Sequence, residues 1–145
     1  MNGRLAIRTG EQFQTQVEDA LKLYGYSYQK QVVDGIRPHG GQFIHDFVIT
    51  AKFSTIAIEV KAQKVSGTGD EKIPYAVHCY EEATNRGYDD YRIVLAGNGW
   101  RKLLVSWYLK RFPKVIRFEN FLEQLRVHEI DKPSQNVRIG QTPLD

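Results

Sequence analysis

Gln42–Thr50 (QFIHDFVIT) and Ser54–Gln63 (STIAIEVKAQ) decide the fold. Both runs are dense in Ile, Val and Phe, and only Ala51, Lys52 and Phe53 lie between them, so they read as the two strands of a hairpin. Side chains alternate along a strand. His45, Phe47 and Ile49 therefore share one side, and Asp46 and Val48 share the other. In the second run Ile56, Ile58 and Val60 share a side, with Ala57, Glu59, Lys61 and Gln63 opposite. A tight turn centred between Lys52 and Phe53 sets Asp46 directly across from Glu59, with Lys61 one pleat further along the same face. The apolar residues of both strands then coincide on the other face, so register and burial agree.

Working outward, Thr9 to Tyr24 reads as a first helix with Thr9 as its N-cap, because Phe13, Val17, Ala20, Leu21 and Tyr24 fall on one stripe and Gly25 closes it. Tyr26 to Val33 reads as extended, and the glycines and proline of residues 34–41 read as turns. Beyond the hairpin come a polar loop from Val65 to Lys72, a helix from Pro74 to Arg86, and a strand from Tyr91 to Ala96. A third helix over Trp100 to Phe112 follows, in which Leu103, Leu104 and Trp107 read as core. Val115 to Phe118 reads as a short strand and Asn120 to Val127 as a last helix. The order α-β-β-β-α-β with added helices describes an α/β (α+β) mixed sheet between two helical layers. Residues 1–131 are expected to form one domain, and 132–145 a C-terminal arm or tail.

Composition is that of a soluble globular chain, with 41% hydrophobic and 26% charged residues. A net charge of +3 permits nucleic acid as a partner without demanding it. Cys79 is the single cysteine, so no intrachain disulfide forms. Its place in a helical pattern marks a buried, inert thiol, and the expectation is a reducing, cytoplasmic setting. No apolar run is long enough to span a bilayer, so no membrane partner is expected.

The chemistry concentrates at Asp46, Glu59 and Lys61. On an exposed strand face such a trio would be a solvated ladder worth a few tenths of a kcal/mol. Here the second strand is apolar on its other face and central in the chain, where later elements cover it. Two carboxylates forced together raise one another's pKa unless a cation lies between them, and an all-oxygen set favours Mg²⁺ or Mn²⁺ over zinc. A nearby lysine can neutralise a phosphate or position an attacking water, which is what metal-assisted phosphodiester hydrolysis requires.

These residues resemble the PD-(D/E)XK superfamily, the restriction-endonuclease-like fold. The resemblance rests on Asp46 in the strand before, on Glu59-Val60-Lys61 as the E-x-K triplet, on Gln63 two residues later, and on the element order from Thr9 to Ala96. It implies a metal-dependent DNA endonuclease using Mg²⁺, with Mn²⁺ as substitute. Asp46, Glu59 and the backbone carbonyl of Val60 would hold the metal, Lys61 would serve the attacking water, and Gln63 would orient the site from its rim. His45 stands where the family has proline, which is not a ligand. The first-helix carboxylate is Glu11 or is replaced by Gln14; Glu11 lies off the apolar stripe while Gln14 flanks it.

The loop after the E-x-K strand should run beside the scissile phosphate, which nominates Lys64, Ser66, Thr68 and Lys72 as DNA contacts. The cations around Arg101 to Arg117 read as a solvated face. The expected partners are double-stranded DNA and further copies of the chain, since one centre cuts one strand and duplex cleavage calls for a symmetric dimer or tetramer. A site-specific restriction or homing enzyme fits best. A junction-resolving or repair nuclease, a catalytically inactive nucleic-acid-binding module on the same fold, and an unrelated small α/β domain are the alternatives.

Overall fold

The computed structural model describes residues 2–38, 40–63, 69–83 and 86–132, with the backbone alone at 2–9 and 69–70. The elements are α1 (Asn2–Leu23), β1 (Ser27–Ile36), β2 (Gln42–Thr50), β3 (Thr55–Ala62), α2 (Ile73–Glu82), β4 (Asp90–Ala96), α3 (Lys102–Arg111), β5 (Val115–Arg117) and α4 (Phe118–Arg126). Short 3-10 turns cover Gly69–Lys72 and Glu129–Asp131. The strands form one mixed sheet in the order β1-β2-β3-β4-β5. Pairing is antiparallel from β1 through β3 and parallel from β3 through β5, so β3 is the strand at which the sheet changes sense.

Two apolar layers hold the helices. Phe47, Ile49, Ile56 and Ile58 on one face pack with Val17 and Leu21 of α1 and with Phe118, Phe121 and Leu125 of α4. Ala57, Ile93 and Leu95 on the other face pack with Ile73, Ala76 and Tyr80 of α2 and with Val105 and Tyr108 of α3. Full burial of each such Ile or Phe contributes about 2 kcal/mol, and together these side chains fix both helical layers to the sheet.

The hairpin register agrees with the sequence reading: Phe47 pairs with Ile58, Val48 with Ala57, Ile49 with Ile56 and Thr50 with Thr55. Three expectations are corrected. Helix α1 starts at Asn2 rather than at Thr9; Thr9-Gly10 resembles a start signal, yet a glycine inside a helix costs only about 1 kcal/mol and is tolerated. Leu103 and Trp107 are not core, because α3 turns them to solvent, with Leu103 89% exposed and the Arg111 guanidinium 5.0 Å from the centre of the Trp107 ring. His45 does not join Phe47 and Ile49. It is fully buried and packs against Phe43, Tyr80 and Tyr88 of the opposite layer. The alternation resets at Asp46, where the β1–β2 ladder omits the pair with Gln31 and Gln31 adopts a left-handed φ of 50°.

Cys79 is buried, as expected. Lys64, Ser66 and Thr68, and the proposed arm from residue 133 onward, lie outside the described residues.

Candidate active site

Beyond the Phe47–Ile58 pair the β2–β3 backbone ladder stops, and a side chain takes over. Asp46 turns its carboxylate to the β3 backbone, where Oδ2 accepts the Val60 N–H at 2.7 Å. Its other oxygen accepts from Gln14 Nε2 on α1 at 3.3 Å, and the Gln31 side chain also bonds to it. Burial pushes the Asp46 carboxyl up to about 6; the Val60 hydrogen bond opposes that shift and the negative charge of Glu59 adds to it. Glu59 points to the same side, and Lys61 Nζ lies 2.8 Å from its Oε2. Asp46, Glu59 and Lys61 thus line one cleft of about 540 Å³, together with Val60, Gln63, Gln31, Arg37, Lys72 and Trp100. The trio that the hairpin register assembles on paper is assembled in space.

Gln63 reaches the rim, but its amide is engaged. Nε2 donates to the Gly99 carbonyl at 2.8 Å, while the Gly99 N–H bonds back to the Gln63 carbonyl. The chain leaves β4 through Gly97 at φ 92°, where a Cβ would collide with the Gln63 carbonyl, so glycine alone lets the ends of β3 and β4 close over one another. Glu11 is exposed on α1 and shares with Gln14 and Asp46 a second cavity of about 310 Å³ on the far side of Asp46. Of the two first-helix candidates, Gln14 is the one bonded to Asp46. Lys72 lies at the foot of α2 and lines the main cleft.

Four groups with a bearing on the site carried no sequence signal. His45, Tyr80 and Asp34 form a buried chain behind Glu59: His45 Nε2 is 3.2 Å from Asp34 Oδ2, and His45 Nδ1 is 3.1 Å from the Tyr80 hydroxyl. Burial holds the His45 imidazole below its usual range. The neutral ring therefore gives its Nε2–H to Asp34 and accepts the Tyr80 O–H at Nδ1. Burial pushes the Tyr80 hydroxyl well up, and the negative charges of Glu59 and Asp46 nearby add to this. The fourth group is Arg37, in the β1–β2 connection. A buried histidine in an alternating strand looks like an apolar residue's neighbour, and an arginine in a glycine-rich turn looks like a solvated one.

The sequence profile of the PD-(D/E)XK nuclease superfamily domain matches residues 5–136. The chain belongs to that superfamily. Members of that superfamily are nuclease domains, and its nucleases generally use divalent metals. A solved structure described as "Crystal Structure of Protein of Unknown Function AF1548" is similar at a TM-score of 0.50 and 12% identity, over 73% of this chain. The chain spans 55% of that protein's length, and the likeness concerns the fold alone. No curated protein matches. No helix among the described residues is long and apolar enough to cross a membrane.

Proposed function

We propose that this chain is a Mg²⁺-dependent endonuclease that hydrolyses phosphodiester bonds in duplex DNA, with Mn²⁺ able to replace Mg²⁺. The observation that carries the reading is the gap in β2–β3 pairing, where Asp46, Glu59 and Lys61 line one open cleft. The donor set suits a hard cation. Among the described residues no three acidic, histidine or cysteine side chains gather as a closed metal cage. Mg²⁺ characteristically takes one or two carboxylates and fills its remaining positions with water and substrate phosphate. Asp46 and Glu59, with the Val60 carbonyl, would hold it, and when bound it would polarise the phosphate and lower the pKa of the attacking water.

The chain's own groups supply the rest. The Val60 N–H, Gln14 and Gln31 hold the Asp46 carboxylate in one orientation before any ligand arrives, which is the preorganisation that charge stabilisation needs. Lys61, drawn to Glu59, keeps an ammonium beside the reacting phosphate to take up developing negative charge and to orient water. Gln63 ties the rim of the cleft to the β4 end. Glu11 faces the cavity beyond Asp46 and is the candidate for a further carboxylate there. Lys72, with Lys64, Ser66 and Thr68 of the adjoining loop, would contact the DNA backbone. One cleft cuts one strand, so severing both calls for paired copies, a dimer or tetramer.

Supercoiled plasmid incubated with Mg²⁺ tests this. The wild-type chain is expected to nick and linearise it, and Glu59→Gln and Lys61→Ala to slow cleavage by about a thousandfold or more, the scale of losing a transition-state charge partner. Sequencing the ends then separates a site-specific restriction or homing type from a junction or repair nuclease. Intact plasmid with both Mg²⁺ and Mn²⁺ overturns the proposal, and binding without cutting would leave a silent DNA-binding module.

A further inference from the structure

We propose that Arg37 and Lys72, at the foot of α2, form a second phosphate pocket that holds the phosphate next to the one being cut. This rests on the nuclease reading above. A cavity of about 160 Å³ opens beside the main cleft, and Arg37, Glu59, Lys61 and Lys72 line both. The two cavities share these four side chains, so a strand whose scissile phosphate lies against Glu59 and Lys61 runs beside Arg37 and Lys72 as well.

The charge balance there is positive. Glu59 is the single acid among the described residues lining the cavity, and Lys61 already sits on it at 2.8 Å. Arg37 and Lys72 make no ion pair with a described carboxylate. Arg37 is also aimed. Its guanidinium lies 5.9 Å from the centre of the Phe43 ring and bonds to the Tyr75 hydroxyl, so two aromatic side chains hold it at the cavity. Its Nε is buried and has no hydrogen-bond partner. A buried unmet donor on a charged group is destabilising, and a phosphate oxygen is an acceptor of matching charge for such a guanidinium. The flat guanidinium fork suits two phosphate oxygens at once, whereas Lys72 acts as a point charge. The first turn of α2 lines the same cavity through Tyr75 and Ala76 and carries no side-chain cap, so the positive end of that helix adds to the field.

The ligand is a phosphate of the DNA strand, either an internal diester or a terminal monoester. Binding of the wild type, Arg37→Gln and Lys72→Ala is measured across a salt series with Ca²⁺ in place of Mg²⁺. Three DNAs are compared: a closed circle, a linear duplex with 5′-phosphates and the same duplex with 5′-hydroxyls. Each variant is expected to bind about tenfold more weakly and to lose roughly 0.9 from the salt slope, the value of one phosphate contact. Lys52→Ala, in the β2–β3 turn, is expected to change neither. Equal losses on all three DNAs identify an internal phosphate, and a loss confined to the phosphorylated duplex identifies a terminal one. Arg37→Lys is expected to recover the slope but not the full affinity. If Arg37→Gln fails to fold, Lys72→Ala decides, since its side chain is exposed.

Unchanged affinity and slope on every DNA overturn the pocket, even if the wild type cuts plasmid. A wild type that binds but never cuts overturns the nuclease reading, while the variant comparison still decides the pocket. A wild type that binds none of the three overturns both.

Discussion

The two halves of the β2–β3 hairpin use opposite physics. Near the turn, residues 47–50 and 55–58 pair backbone to backbone, and Phe47, Ile49, Ile56 and Ile58 bury their side chains under α1 and α4. Past Phe47 and Ile58 the ladder is interrupted, and a half-buried carboxylate replaces a backbone partner. The first half lowers the free energy of the folded chain. The second half raises it, because Asp46 is held where ionisation is unfavourable. One element therefore anchors the fold at one end and stores electrostatic strain at the other, and the strained end is the one facing the cleft.

The contrast can be broken at either end. The largest stability effect is expected at Ile58→Ala, about 3 kcal/mol of lost stability from the emptied volume in a fully buried site. Chemical denaturation measures it, and a loss below about 1 kcal/mol would mean the anchoring half is not the anchor.

Asp46→Asn should go the other way. Because the folded-state pKa of Asp46 is raised from 3.8 to about 6, the folded protein binds that proton more tightly than the unfolded chain. Its stabilising effect is complete below about pH 4 and is lost as pH rises through 6. The metal-free Asn variant is therefore expected to be about 2–3 kcal/mol more stable than wild type at pH 8. It should show no advantage at pH 3.5 and no nuclease activity. Thermal melts with chelator at the two pH values check this, and a variant less stable at pH 8 contradicts it.

The smallest effect is expected at Tyr80→Phe, which removes the hydroxyl between His45 and Glu59. Groups that orient metal ligands from behind commonly change affinity 10–100-fold, and here about tenfold weaker Mn²⁺ binding is expected by calorimetry, with the fold retained. Unchanged Mn²⁺ affinity would reduce the Asp34–His45–Tyr80 chain to packing alone.

Much of this was legible in the sequence, for a physical reason. The period of two in QFIHDFVIT and STIAIEVKAQ, with a three-residue connection, leaves one register that buries both apolar sets, and that register brings Asp46 and Glu59 together. What escaped depends on departures from the period. Gln31 takes a left-handed conformation with no glycine to announce it, and beside that break in the ladder His45 packs in the layer that alternation denies it. Arg37 owes its place to a turn, and Gln63 its engagement to the close approach at Gly97, neither of which is written in a hydrophobic pattern. Leu103 and Trp107 misled because apolar residues at helical spacing ordinarily face inward.

The change of sense at β3 has a consequence for the order of assembly. On one side β3 is joined to its partner by residues 51–54; on the other, a parallel neighbour arrives only after residues 63–89. Short loop closure favours the antiparallel side, so the meander forms ahead of the parallel docking. Asp46 and Glu59 then meet while still hydrated, when their repulsion is weak. The Asp46 carboxylate loses its water only when its partners on α1, β1 and β3 have all closed around it, so folding of the metal-free chain is expected to slow as the pH is raised.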